Sequence, residues 1–261
     1  MDDWKIRYQK YDPEEQSKRE ALLTLGNGYF AVRGAFEETQ DDGTHYPGTY
    51  LAGGYNRLKT AIAGKEIENE DLVNWPNALP LTFSINGGKP FHIDQVELIE
   101  FQQELDLKAG VVFRKMKFQD LQKHETTLLT KRFVSMDYKH VFGLEWEIIP
   151  ENWFGKLTLY SAIDGGVKNN NVERYKDLNN EHLSNIKTDQ HSGDVISLVA
   201  ESNQSHIKMA LAARTKVFIN QEEQTVDADV ESVSHKITHR LSLNVSKLQP
   251  VHVEKLICLH T

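Results

Sequence analysis

Apolar and polar residues alternate with a period of two along most of this chain. Trp4, Ile6 and Tyr8 alternate with Lys5, Arg7 and Gln9, and Phe142, Leu144, Trp146 and Ile148 alternate with Gly143, Glu145 and Glu147. Successive side chains of a strand point to opposite faces, so each stretch predicts a half-buried strand. The same reading predicts strands over 49–55, 79–85, 89–93, 111–118, 126–134, 195–200, 207–213, 215–219 and 251–259, and Leu157, Leu159 and Ile163 continue it. The longest predicted strand is 233–245, with Val233, Ile237, Leu241, Leu243 and Val245 on one face. No window sustains an apolar three-four period beyond about two turns, the least that marks an amphipathic helix. One short helix is predicted at Asp12-Pro13-Glu14-Glu15, with Asp at the N-cap, Pro at the first helical position and Glu15 closing a capping box.

Turns separate the strands. Gly26-Asn27-Gly28 lies between the apolar runs 22–25 and 29–32, and Asn86-Gly87-Gly88 lies between 79–85 and 89–93. Asn and Gly tolerate positive φ, so both sites read as hairpins. The first hairpin runs into Arg33-Gly34, a buried-guanidinium candidate beside a close backbone approach, and then into Glu37 and Glu38. Residues 56–79 read as irregular and 164–180 as a long polar loop. Many strands with Gly, Asn and Asp turns predict an all-β fold, a large many-stranded antiparallel β-sandwich with few short helices. No repeat or Pro/Ser-rich linker divides the 261 residues, so they read as a single domain, 1–261.

Charge narrows the partners. A net charge of −8 disfavours broad binding to nucleic-acid phosphates, which needs a basic face. No apolar run is long enough to span a membrane. The first ten residues, MDDWKIRYQK, contain no apolar leader core, so a cytoplasmic location with no membrane partner is expected. The single cysteine, Cys258, excludes an internal disulfide and reads as a buried, inert thiol in an apolar strand.

Candidate chemistry is sparse. Glu37 with Glu38, and Glu66, Glu68, Glu70 with Asp71, are carboxylate groups of the kind that serve as general acid and base. Both sets fall in predicted polar loops, where solvated acids are expected. His235 and His239 share a face of the predicted 233–245 strand and would project together. With no third ligand at a telling spacing, hydrogen-bonded histidines are favoured there over a metal site. The sequence has no GxSxG elbow and no phosphate loop, and Gly26-Asn27-Gly28 precedes a strand, so it is not a dinucleotide fingerprint. Trp75, in IENEDLVNWPN, has two readings: an exposed indole stacking on a sugar ring, or the commoner Trp folding its loop onto the sheet. On residues alone, no catalytic, cofactor or metal residue is assigned.

Six segments, in order, carry a family resemblance: TLGNGYFAVRGAFEE, PGTYLAGGYN, NEDLVNWPN, QELDLKAGVVFRKMKF, KRFVSMDYKHVFGLEWEI and SAIDGGVKNN. They resemble the N-terminal domain of glycoside hydrolase family 65, which includes maltose, trehalose, kojibiose, nigerose and glucosylglycerol phosphorylases and some hydrolases. The likeness runs from Trp4 to Leu259. IENEDLVNWPN and NVERYKDLNNEHL are closer to the kojibiose, trehalose and nigerose branch. The resemblance implies a super-β-sandwich of the galactose-mutarotase-like kind. It also implies a helical linker and a catalytic α/α toroid in the parent protein, absent from this chain, that hold the general-acid glutamate and the phosphate site. Inorganic phosphate would be the co-substrate, attacking an α-glucoside with inversion to release β-glucose 1-phosphate.

This chain would then be a non-catalytic N-terminal domain, with the toroid of the same polypeptide, a second copy in a homodimer, and α-glucosides as its partners. Gly26, Asn27, Gly28, Arg33 and Gly34 would carry structural weight. Asn69, Glu70, Asp71, Asn74 and Trp75, with Pro76, are candidate interdomain or sugar contacts, on a loop read as having no sheet partner. The competing readings are a free-standing carbohydrate-binding module, a dimerisation scaffold, and a domain of a family 65 hydrolase.

Overall fold

A computed structural model describes residues 4–170, 178–191 and 194–261. The chain opens with strand β1 (Lys5–Tyr8) and helix α1 (Pro13–Leu22). Short strands β2 (Leu25–Gly26), β3 (Phe30–Val32) and β4 (Thr49–Leu51) form one small sheet. A hairpin of β5 (Tyr55–Ile62) and β6 (Lys65–Leu72) follows, and then β7 (Leu81–Ile85). Next come β8 (Glu97–Asp106), β9 (Val111–Gln119), β10 (Glu125–Val134), β11 (Val141–Pro150) and β12 (Gly155–Asp164). The last elements are β13 (Leu183–His191), β14 (Val195–Ser202), β15 (Lys208–Ile219), β16 (Glu222–Glu223), β17 (Asp227–Val233), β18 (Lys236–Val245) and β19 (Val251–His260).

The expected sandwich is the fold observed. A ten-stranded antiparallel sheet in the order β1-β8-β9-β10-β11-β19-β15-β14-β13, with β16 on the side of β15, faces a four-stranded sheet, β17-β18-β12-β7. The period of two sets which residues meet inside. β11 buries Phe142, Leu144, Trp146 and Ile148, and β12 buries Leu157, Leu159, Ser161 and Ile163.

The interior is not one continuous oil drop. One apolar cluster gathers Phe83, Met116, Phe118, Trp146, Leu159 and Val253; a second gathers Leu23, Phe30, Trp75, Phe142, Leu211 and Ile257. A polar belt crosses the strands between them. Gln103 lies between Phe101 and Leu105, Arg114 between Val112 and Met116, Ser161 between Leu159 and Ile163, Thr215 between Ala213 and Val217, His239 between Ile237 and Leu241, and Lys255 between Val253 and Ile257. Thr130 and Arg132 take the same place in β10. The register makes Gln103, Arg114 and Thr130 successive cross-strand neighbours, and Lys255 sits opposite Thr215.

Several expectations are corrected. Residues 56–72 are not irregular, and only 73–79 are without a strand: β5 and β6 pair along their whole length around a turn at Ala63 and Gly64, both at positive φ. Their residues are mostly polar and Leu58 is their one buried apolar side chain, so no alternation betrays them, and cross-strand pairs such as Arg57–Glu70 and Lys59–Glu66 take the place of an apolar face. β8 and β13 were not anticipated because a bulge between Leu98 and Glu100 and the inward Gln103 break the alternation of β8, and Thr188 and Gln190 leave the inward face of β13 polar. Residues 89–93 form no strand. Pro90 offers no amide, the Phe91 amide donates to Phe83 O at 2.7 Å, and a 3₁₀ turn begins at Ile93.

The predicted 233–245 strand is broken at Ser234, whose φ is 54°. β17 and β18 are therefore two arms of a hairpin. His235 is exposed in its turn while His239 is buried, and the two do not project together. Residues 208–219, predicted as two strands, form the single β15. Asp12 and Pro13 take the predicted N-cap and first helical positions, but the Asp12 side chain makes no capping hydrogen bond. Cys258 is half-buried on the outer face of β19, not in the core.

Candidate functional site

The 26–48 segment threads between α1 and the large sheet. Gly28, at φ 85°, supplies the turn; Asn27 instead anchors it. The Asn27 side-chain oxygen accepts from the amides of Tyr29 and Phe30, and its Nδ2 donates to Ser135 O at 2.7 Å and Lys139 O at 3.0 Å. Gly34 is needed for space. Its amide donates to Glu20 O, and a Cβ there would lie 2.7 Å from Leu23 Cβ and 2.8 Å from Glu20 O. Arg33 is buried as anticipated, and its guanidinium donates to Glu20 Oε2 at 3.3 Å and to Ser17 O at 2.5 Å. Glu20 also takes the Tyr46 amide at 3.0 Å and lies 2.9 Å from His45 Nδ1.

Glu37 and Glu38 are not solvated loop acids. Both are buried, and both face Arg114. Arg114 grips Glu38 bidentately at 2.6 and 2.7 Å and reaches Glu37 at 3.0 Å. The Arg132 guanidinium lies 3.3 Å from Glu37 Oε1 and donates to Ala35 O at 2.8 Å. Burial alone would push the Arg114 pKa down; Glu38 and Glu37 outweigh it and hold it above its ordinary value. Arg132 is held below its ordinary value by burial, with Arg114 repelling it and Glu37 only partly compensating. These carboxylates are the counter-charges of the belt, brought to it by the 33–39 segment. With both acids engaged by guanidinium groups, the arrangement fixes the loop in place and is poorly suited to proton transfer.

Arg114, Arg132 and Lys255 are the residues that sequence reading missed. Arg114 and Lys255 are each a cation at an inward position of an otherwise apolar alternation, and that mismatch is the pattern that reveals them; Arg132 shares its inward face with Thr126 and Thr130 and carries no such signal. Lys255 is fully buried, and its Nζ donates to Pro80 O at 2.9 Å and Ala162 O at 2.8 Å. Burial, reinforced by Lys236, lowers its pKa well below that of an ordinary lysine, against the pull of Glu37.

The outer rim of this network opens into a polar cleft of about 500 Å³, lined by Glu37, Glu38, Asn77, Tyr160, Asp164 and Arg240 among others. The Asn77 and Asp164 backbones pair with each other at 2.8 Å in both directions. A second hollow of about 340 Å³, lined by Asp41, Asn74, Lys168 and Asn170, shares Gln40, Asn77 and Asp164 with it. Amides, carboxylates and cations facing one tyrosine ring suit hydrogen bonding to a polyhydroxylated ligand.

Beside it, Asp42, His45 and Asp94 bring three donor atoms within 4.8 Å of one another. The Tyr11 hydroxyl joins them, donating to Asp94 at 2.8 Å and lying 3.1 Å from His45 Nε2. Burial and Asp94 push the Tyr11 pKa up, so the phenol keeps its proton and the group is a closed hydrogen-bonded cluster.

The candidate contact residues fall into two places. Asn69, Glu70 and Asp71 lie on β6, so that stretch does have a sheet partner. Glu70 pairs with Arg57 at 2.6 Å, Asn69 donates to Asp71, and Asp71 lies 3.4 Å from the buried His182. Glu66 and Glu68 are solvated and paired with Lys59 and Arg57. Asn74 and Trp75 point inward. Asn74 Oδ1 accepts from the Thr49 amide, and its Nδ2 donates to Pro47 O and Lys168 O. Trp75 is 0% exposed, which excludes its indole as a sugar-stacking platform on this surface. Of the NVERYKDLNNEHL stretch, residues 171–177 lie outside the described residues.

The geometry can be set beside known proteins. The sequence profile of the glycosyl hydrolase family 65 N-terminal domain matches residues 6–261. An uncharacterized glycosyl hydrolase of Mycobacterium tuberculosis is 38% identical over 262 residues, which are 100% of this chain and 20% of that protein. Trehalose 6-phosphate phosphorylase of Lactococcus lactis is 32% identical over 98% of this chain and 32% of its own length. A solved structure from the human microbiome, provisionally described as a kojibiose phosphorylase, superposes with a TM-score of 0.79 at 16% identity, over 98% of this chain and 32% of that one. At that identity the likeness concerns the fold. This chain therefore spans about a fifth to a third of the length of these relatives.

Proposed function

This chain belongs to the N-terminal domains of glycosyl hydrolase family 65, and from that premise we propose that it is the non-catalytic N-terminal part of an inverting α-glucoside phosphorylase. The observation that carries the reading is the state of its carboxylates. Glu37 and Glu38, adjacent acids that line the cleft, are engaged by Arg114 and Arg132, so the acid and the phosphate site are expected from the remainder of the polypeptide. The named curated relatives that are longer and similar over most of this chain include phosphorylases of trehalose 6-phosphate and kojibiose, which supports phosphorolysis over hydrolysis. The domain's role is to support the catalytic toroid and to form one wall of its surroundings, in a cytoplasmic homodimer acting on α-glucosides with inorganic phosphate as co-substrate.

The test compares the full-length protein with this chain. Release of glucose 1-phosphate from kojibiose, trehalose, trehalose 6-phosphate and maltose is measured with and without phosphate. Phosphate-dependent turnover by the full-length protein and none by the chain is the expected result. Phosphate-independent glucose release would replace the phosphorylase by a hydrolase. A second reading, a sugar-binding module, is favoured by the polar cleft beside Tyr160. Saturable sugar binding by this chain in calorimetry would select it.

A further inference from the structure

The outer face of the ten-stranded sheet is divided. Across its middle runs a charged row: Lys131, Glu145, Glu254 and Lys216 are successive cross-strand neighbours, and Lys131 pairs with Glu145 at 2.9 Å. Two residues further along, the row is Val111, Phe133, Gly143 and Leu256, closed by the charged Asp106 at one end and the exposed Arg214 at the other. The next is Val141, Cys258, Ala212 and Ser197, and beyond it His260, Ala210, Val199 and Lys187 are successive neighbours. Phe133, Leu256 and Val199 are each 40–42% exposed, far more than a strand packed on both faces allows. The Phe133 ring lies across Gly143, where a Cβ would meet its Cε1 at 2.7 Å and Leu256 Cδ2 at 3.3 Å, so the glycine makes room for the ring. The neighbouring 135–140 loop adds Met136, 78% exposed, and Tyr138, 70% exposed.

This apolar end is also where β19 finishes. The Leu259 amide donates to His140 O at 2.8 Å, the His260 ring stacks on that of His140 at 3.9 Å, and Thr261 Oγ1 lies 2.6 Å from the Tyr29 hydroxyl. Position 261 is thus held against the loop that carries Met136 and Tyr138. Relatives that match this chain almost throughout have two thirds or more of their length outside the matched part. An apolar patch of this kind on a soluble domain marks a contact surface.

We propose that the apolar end of this face, Phe133, Met136, Tyr138, Leu256 and Val199, is the docking surface for the polypeptide that follows position 261 in the full-length protein. The inference rests on reading this chain as the N-terminal part of a longer polypeptide. Position 261 lies beside the loop that carries Met136 and Tyr138, so a segment continuing from it starts next to the patch, which favours it as occupant over a second copy.

Methionine oxidation reads the surface without reference to activity. In the native full-length protein, peroxide is expected to oxidise Met136 roughly tenfold more slowly than in the urea-unfolded protein, because oxidation follows exposure. Phe133→Glu is expected to speed Met136 oxidation with the sedimenting mass unchanged. Oxidation of wild-type Met136 at the unfolded rate would overturn the proposal even if the Phe133 variant failed to fold. A halved mass for Phe133→Glu would overturn it too, and assign the face to a second copy. Slow Met136 oxidation in a protein without phosphorolysis would leave the docking surface standing and remove the proposed activity. Phosphorolysis with an oxidisable Met136 would do the reverse.

Discussion

At the residue scale the decisive atoms are those of Arg114. A guanidinium buried among Val112, Met116 and Phe36 is tolerable only because Glu38 meets it bidentately and Glu37 completes the shell. Removing one partner leaves charge buried without compensation. Arg114→Met is therefore expected to lose about 3–5 kcal/mol of stability, read from urea unfolding midpoints. Adding Glu38→Gln to that variant should restore part of the loss, since the stranded charge goes with it. A midpoint unchanged in Arg114→Met would show that the pair contributes nothing. Arg114 was legible as a break in an apolar alternation; its partners were not, because Glu37 and Glu38 lie 77 and 76 positions away in sequence.

At the element scale the 26–34 hairpin shows what local chemistry can and cannot state. The turn, the buried Arg33 and the close approach at Gly34 were all readable from the residues themselves. What Gly34 approaches was not, since α1 packs there through tertiary contacts at Glu20 and Leu23. Gly34→Ala is expected to cost about 1–3 kcal/mol by overpacking, seen as a lower denaturant midpoint with an unchanged slope. Full stability would mean that α1 shifts to make room. The β5–β6 hairpin marks the opposite limit. Its strands bury one apolar side chain, Leu58, so cross-strand partners such as Arg57 with Glu70 do most to define it.

At the scale of the whole molecule, the belt between the two apolar clusters ties the facing sheets together, and Lys255 is its clearest reporter. It hangs from β19 and donates to carbonyls of β12 and of the segment before β7. Its folded pKa is lowered, and an unfolded lysine titrates near 10.4. Between the lowered value and about 10.4 the unfolded chain holds more protons than the folded one, so this residue makes stability rise with pH across that window. Below it the cost of burying the ammonium is fully present. Lys255→Met should flatten the rise relative to wild type, while Pro80 O keeps the Ala162 amide as a donor. Identical pH profiles from alkaline urea titrations would show that Lys255 ionises as an exposed lysine does.

The sequence by itself determined that this protein is an antiparallel sandwich. It also determined where the central strands lie, which of their residues face inward, and that Gly26, Asn27, Gly28, Arg33 and Gly34 form one turning unit. These follow from side-chain alternation and turn chemistry, which act over a few residues. Only the tertiary structure decided that Glu37 and Glu38 are buried counter-ions, that Trp75 is core, that His235 and His239 part company, and that a charged belt divides the interior. Those outcomes depend on which strands become neighbours. Neighbours are chosen by pairing and packing between residues far apart in sequence, and a period of two carries no information about the partner across the sheet.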